Sequence, residues 1–320
     1  MLIPILLLLV GLAILIGGAE AMVRGASSVS KKAGIPAIVI GLTIVAFGTS
    51  APELIVNIFS AVKGTTDLAL GNIIGSNISN IFLVLGIASL ITCLKVQKNT
   101  TWKEIPLAIL AVLVVFAMVN DEFFDNAISN VISRIDGLIL LGFFAIFMYY
   151  TVELSRHGAV SAGQKGIKVY SLPISISLTL GGLALLFFGG QLLVNQAITL
   201  AQLAGMSEML IGLTIVAVGT SLPELATSVI AAIRGQVDIA IGNIVGSSIF
   251  NIFWILGVTG TIKPIPINPG VNFDIFVCLL ATLVLFLAMF IGKKHNLERW
   301  QGGIFVAAYI AYIVFLVQRG

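Results

Sequence analysis

The chain has 320 residues, 58% of them hydrophobic and 10% charged, with a mean hydropathy of +1.12. Soluble domains carry about 25% charged residues, so this balance excludes a water-soluble globule and implies a polytopic membrane protein. The net charge of +3 says little by itself; no nucleic-acid partner is expected, and the lipid bilayer is.

Ten runs are apolar enough to cross a bilayer: 2–29, 36–62, 68–92, 104–120, 136–154, 170–199, 207–233, 239–261, 272–291 and 300–318. The first ends near Ala19-Glu20-Ala21, like a signal peptide. No basic residue precedes it, however, and a similar segment recurs at Ser177–Ala197, so it reads as a retained helix. Glu20 is placed to pair with Arg24 one turn later, a structural role.

The second run carries GTSAPE at Gly48–Glu53, and the third carries GNIIGSNISN at Gly71–Asn80. The fourth is short, with Trp102 placed to anchor its end at the interface. Asp121, Glu122 and Asp125 follow as an acidic connection, read as a solvated turn. Ser155–Lys168 is the longest polar stretch. The seventh run carries GTSLPE at Gly219–Glu224 and the eighth GNIVGSSIFN at Gly242–Asn251. Asp67 and Asp238 fall at helix starts and are expected to cap them. Cys93 and Cys278 read as buried, reduced thiols. His157 and His295 lie in polar connections, which disfavours a histidine-based metal site.

The chain repeats itself at an offset of 171 residues. Gly41–Gly86 aligns with Gly212–Gly257, and 27 of the 46 positions are identical. Five spans separate equivalent points, an odd number, so the copies cross the membrane in opposite directions. The expected fold is all-α, with ten transmembrane helices as two inverted repeats of five. Residues 1–154 form the first, 155–169 a cytoplasmic linker and 170–320 the second. With the N-terminus outside, 13 of the 17 basic residues fall in cytoplasmic connections, which places both termini outside a cell membrane.

Pro52 cannot bond the carbonyl of Gly48, and Pro223 does the same to Gly219. A freed carbonyl in hydrocarbon is costly unless it lines a polar cavity. Each phrase therefore brings carbonyls, two hydroxyls and a carboxylate into one and a half turns. In the GNxxGS stretches, Asn72, Ser76 and Asn80 share a helical face, as do Asn243, Ser247 and Asn251. Asn72 and Asn243 read as helix glue, the others as ligand candidates. Gly71 with Gly75, and Gly242 with Gly246, permit close helix approach.

Every candidate ligand is an oxygen, which selects hard cations: Ca2+, Na+ or, less readily, Mg2+. Glu53 and Glu224 facing each other would hold such a cation, and two ions competing for them would exchange without ATP. A cation channel is the alternative outside transport. No cofactor is expected. An enzyme is not expected either, because no Ser/His or Ser/Lys arrangement lies within the spans.

At these residues the chain resembles the Ca2+/cation antiporter superfamily, in its sodium/calcium exchanger branch. The paired GTSxPE and GNxxGSxxxN phrases are similar to that family's two alpha repeats. The resemblance implies Ca2+ exchanged for Na+ at one central site, with long first and sixth helices sliding across the core, in a protein expected to act as a monomer. By motif position it implies that Glu53 and Glu224 are shared carboxylates, with backbone oxygens of Thr49 and Thr220 completing Ca2+ coordination. Carbonyls of Ala46 and Ala217, with Ser50, Ser221, Ser76 and Ser247, would serve flanking Na+ sites, and Asn80 and Asn251 would line the middle. Some relatives have an aspartate at one of the last two positions, where this chain has amides. The proton-coupled branch has a similar layout without this GTSxPE pairing, so H+ is the alternative counter-ion.

Overall fold

The computed structural model describes residues 2–63, 66–125, 129–157, 168–206, 217–267 and 270–319, and of Lys63, Thr66, Asp67, Leu68, Asp125, His157 and Ala217 the backbone alone. The helices that build the molecule are α1 (Leu2–Ala33), α2 (Ala37–Thr49), α3 (Ala51–Val62), α4 (Ala69–Ile91), α5 (Thr100–Met118), α6 (Arg134–Arg156), α7 (Leu172–Leu203), α8 (Leu222–Ile233), α9 (Val237–Ile262), α10 (Val271–Ala288) and α11 (Arg299–Arg319). Among the described residues, eight are long and apolar enough to cross a bilayer, and the bent pair α2–α3 makes a ninth. The expected seventh span is described only from residue 217 onward, where α8 lies.

Burial sorts the helices into a centre and a rim. In α4 and α9, 78% and 94% of the most apolar stretch is buried, against 22% in α1 and α6 and 28% in α7 and α11. Apolar side chains such as Leu6, Ile146 and Phe188 stand outward, the arrangement a hydrocarbon solvent favours. The chain is thus a multi-pass membrane protein with two polar-bearing helices at its middle.

α1 and α7 are each 32 residues long, about 48 Å at 1.5 Å per residue and well beyond the roughly 30 Å hydrocarbon thickness. They pack on each other along a seam of glycines seven residues apart: Gly11, Gly18 and Gly25 against Gly182 and Gly189. A Cβ at Gly18 would fall 2.8 Å from the Leu186 nitrogen, and one at Gly189 2.7 Å from the Leu15 nitrogen. Only glycine lets the two backbones meet, and small-residue contact is what joins helices where lipid removes the hydrophobic drive.

α2 and α9 cross in the same manner. A Cβ at Gly242 would lie 2.8 Å from the Ile38 carbonyl, and one at Gly246 2.8 Å from Ala46 Cβ. Gly71 and Gly75 meet no such neighbour among the described residues. Their mates pack on 41–46, whose own counterpart, 212–217, is described only at its last residue.

Span 36–62 is broken where Pro52 interrupts it, into two helices meeting at 46°. Several other expectations need correction. The fourth span is not short: a π-helical turn at Thr100–Glu104 starts it earlier, and Trp102 lies in that turn, edge-on to Phe286 and Phe290. The fold is not wholly α, because two-residue antiparallel pairs tie Leu94–Lys95 to Asn296–Leu297 and Val131–Ile132 to Ile265–Pro266. Cys278 is buried but Cys93 is exposed, since it falls in the connection after α4. Asp238 caps nothing; it is the second residue of α9, past the cap position, and accepts from Gln97 Nε2 at 2.8 Å. The side chain of Asp67 lies outside the described residues.

Candidate cation site

The site begins with two broken helices. Ser50 and Ser221 take φ −83°, ψ 6° and φ −85°, ψ 4°, a sparsely populated backbone region, two residues before each proline. Helix then restarts: the Ser50 carbonyl accepts from the Leu54 N–H at 3.1 Å, and the Ser221 carbonyl from the Leu225 N–H at 3.0 Å. The restart puts Glu53 and Glu224 in the first turns of α3 and α8, at the positive end of each helix.

Both glutamates are fully buried. Each carboxylate has one oxygen held by a hydroxyl and one with no partner among the described residues. Ser76 Oγ donates to Glu53 Oε1 at 3.1 Å and Ser50 Oγ to Glu224 Oε1 at 3.2 Å, while both Oε2 atoms are unpartnered. Among the described residues no cationic side chain forms an ion pair with either. A buried carboxylate without a partner costs several kcal/mol, so a cation is the natural complement.

The two repeats interlock through hydroxyls and amides. Ser76 and Ser221 hydroxyls meet at 3.2 Å. Thr49 Oγ1 donates to Asn243 Oδ1 at 2.9 Å and lies 3.4 Å from Ser247 Oγ. The Ala46 carbonyl accepts from the Ser50 N–H at 3.0 Å and has Thr49 Oγ1 at 3.3 Å and Ser247 Oγ at 3.5 Å within reach. Thr220 lines a cleft of about 230 Å³ with Pro52, Gln191, Asn195 and Pro223. Ala217 begins the last turn before Gly219, and its side chain lies outside the described residues.

Asn80 and Asn251 each sit in a π-helical turn, at Ser79–Leu85 and Phe250–Leu256, which coincide under the 171-residue offset. π turns open the ladder of an α-helix and recur at functional positions. The Asn80 turn packs against α8, which carries Glu224, and the Asn251 turn against α3, which carries Glu53. Both asparagines are fully buried, and Asn80 Oδ1, Asn80 Nδ2 and Asn251 Oδ1 have no partner among the described residues.

Asn72 and Asn243 are helix glue, as expected. Asn57 Nδ2 reaches Asn72 Oδ1 at 3.3 Å, and Asn243 Nδ2 reaches Ser228 Oγ at 2.9 Å. Their partners Asn57 and Ser228, one turn after each glutamate, escaped the sequence reading. They are equivalent under the repeat offset, and that correspondence is the signal that could have found them. Asn77 was also missed: its amide contacts Ser248 and Asn251 across the repeats. Glu20 does pair with Arg24, and it also holds Arg234 at the end of α8. No spacing rule joins positions so far apart.

The model of the sodium/calcium exchanger protein family matches residues 3–152 and 174–318. CaxA of Alkalimonas amylolytica is 40% identical over 321 residues, covering 98% of each chain. The sodium/calcium exchanger MaX1 of Methanosarcina acetivorans is 29% identical over 343 residues, covering 97% of each. The fold is similar to solved structures of the sodium-calcium exchanger NCX_Mj, with a TM-score of 0.83 and 32% identity over 98% of this chain and 99% of that one. That protein was also studied soaked with Na+ and Ca2+ or Sr2+.

Proposed function

The chain belongs to the sodium/calcium exchanger protein family, of the prokaryotic type, and on that premise we propose that it exchanges Ca2+ for Na+ by alternating access at one mid-membrane site. The observation that carries the reading is the set of buried oxygens without partners: Glu53 Oε2, Glu224 Oε2, Asn80 Oδ1 and Asn251 Oδ1. They lie on helix breaks and π turns, where the backbone departs from regular helix. Oxygen-only ligands with two carboxylates suit a hard divalent ion or several Na+ ions.

Around this pair, Thr49, Thr220, Ala46 and Ala217 supply backbone oxygens, and Ser50, Ser221, Ser76 and Ser247 supply hydroxyls. The Ala46 carbonyl already accepts from the Ser50 N–H and has the Thr49 and Ser247 hydroxyls within reach, so it serves an ion only if those rearrange. The two hydroxyls make the cluster one that can exchange internal bonds for an ion.

The full chain is read as ten spans in two inverted repeats, 1–154 and 170–320, joined by a cytoplasmic linker at 155–169, with both termini outside. One chain supplies both halves of the site, so a monomer suffices. The glycine-seamed pair α1–α7 lies at the lipid-facing rim and is read as the unit that slides across the core, an ion pair from Glu20 to Arg234 being one contact that this motion would break. The cleft by Pro52 and Pro223 is the access route from the outer side.

Reconstituted vesicles with a Na+ gradient and no pH gradient are expected to accumulate Ca2+. Calcium movement driven only by a pH gradient would replace Na+ by H+ as the counter-ion.

A further inference from the structure

Asn77 is buried between Ser76 and Asn80 on α4, and the ion-site reading gives it no role. Its Nδ2 donates to the Ser248 carbonyl at 3.2 Å, and its Oδ1 accepts from Asn251 Nδ2 at 3.0 Å. These contacts have a fixed polarity. A backbone carbonyl only accepts, so the Asn77 atom facing Ser248 must be the nitrogen. The Asn77 oxygen therefore faces Asn251, and an oxygen there selects the nitrogen of the Asn251 amide. The Asn251 oxygen is left on the other side, buried and without a partner among the described residues.

We propose that Asn77 is a positioning residue that transmits the polarity of the Ser248 carbonyl to Asn251 and presets that amide to offer oxygen, not nitrogen, to a hard cation. The proposal rests on the cation-site reading above. An amide has a wrong face for a cation, whereas a carboxylate has none. A family site with an amide at this position needs a device to choose the face, and the Asn77 relay is one.

The repeat lacks the device on the other side. The counterpart of Asn77 is Ser248, whose hydroxyl donates to the Ile244 carbonyl of its own helix at 3.0 Å. Nothing equivalent orients Asn80, and both of its amide atoms are without partners among the described residues. Two asparagines that look equivalent in sequence are thus unequal: Asn251 is held as an oxygen donor, and Asn80 can turn either atom to the site.

Equilibrium 45Ca2+ binding to the purified full chain tests the relay without depending on the counter-ion. Asn77→Ala is expected to weaken the Kd about five-fold, the loss of one orienting hydrogen bond. In an Asn251→Asp background the same substitution is not expected to weaken Kd, because a carboxylate has no nitrogen face to turn away and the Asn77 oxygen can give it no hydrogen bond. An equal loss in both backgrounds would overturn the positioning role in favour of a structural one, and so would an unchanged Kd in Asn77→Ala. Asn77→Ser carries the same expectation if the alanine variant does not fold. Asn251→Ala separates the two levels: unchanged binding there would overturn the site reading itself. Weakened binding there, with Asn77→Ala silent, overturns only the relay.

Discussion

Ser50 Oγ donates to Glu224 Oε1 at 3.2 Å, so the helix break of one GTSxPE phrase is bonded to the carboxylate of the other. The reverse connection is longer: Ser221 meets Ser76, and Ser76 in turn reaches Glu53. A hydrogen bond to a charged group contributes about 1.5–3 kcal/mol. Ser50→Ala is therefore expected to weaken Ca2+ binding roughly ten-fold. Ser221→Ala should cost less than about three-fold, because Ser76 keeps its bond to Glu53. Isotope binding to the two purified variants measures the difference; equal effects would contradict the unequal wiring.

Gly242 sits where α9 crosses α2, and a Cβ there would press on the Ile38 carbonyl and on Gly41 Cα at 2.9 Å. Neither backbone can yield without separating the helices that carry the site. Gly242→Val is expected to destabilise the fold by about 2–3 kcal/mol or more, seen as a lower Tm and a broadened size-exclusion peak. Gly142→Val, where an added Cβ meets nothing among the described residues, should leave both unchanged.

Cys93 is exposed and Cys278 fully buried, so the unmodified chain has a built-in topological reporter. One membrane-impermeant maleimide per chain should attach, and only from the face that carries Lys95 and Lys98. With the proposed orientation that face is cytoplasmic: inside-out vesicles label and right-side-out vesicles do not. The opposite pattern would invert the assignment of both termini.

Glu20 joins Arg24 on its own helix to Arg234 at the end of α8, and the arginines are about half exposed. Salt screens exposed charges beyond a Debye length of about 10 Å at 0.1 M, which shrinks to about 3 Å, the scale of these contacts, at 1 M. Glu20→Gln should lower Tm at low ionic strength and do so much less near 1 M salt. A deficit independent of salt would mean that packing, not charge, is what Glu20 contributes.

Much of this molecule could be read from residue order, because bilayer thickness and the expense of buried polarity leave few solutions. The broken helices at Pro52 and Pro223, the carboxylates after them and the glue role of Asn243 all follow from local rules. Contacts between repeats do not. Asn77 carries no local signal, since its partners stand 171 and 174 positions away. The π turns at Asn80 and Asn251 escaped for another reason: one extra residue per turn arises from packing and leaves no compositional mark. Asp238 was misread because the start of α9 was set two residues late, and a cap is defined by that boundary.

The central claim is that Glu53 and Glu224 together hold the transported cation, and gradient-driven 45Ca2+ flux through proteoliposomes, with Na+, K+ and H+ varied separately, tests it most directly. Wild-type vesicles are expected to take up Ca2+ against the Na+ gradient, while Glu53→Gln and Glu224→Gln remain folded and monodisperse but carry none. Near-normal Ca2+ flux through either glutamine variant would contradict the account.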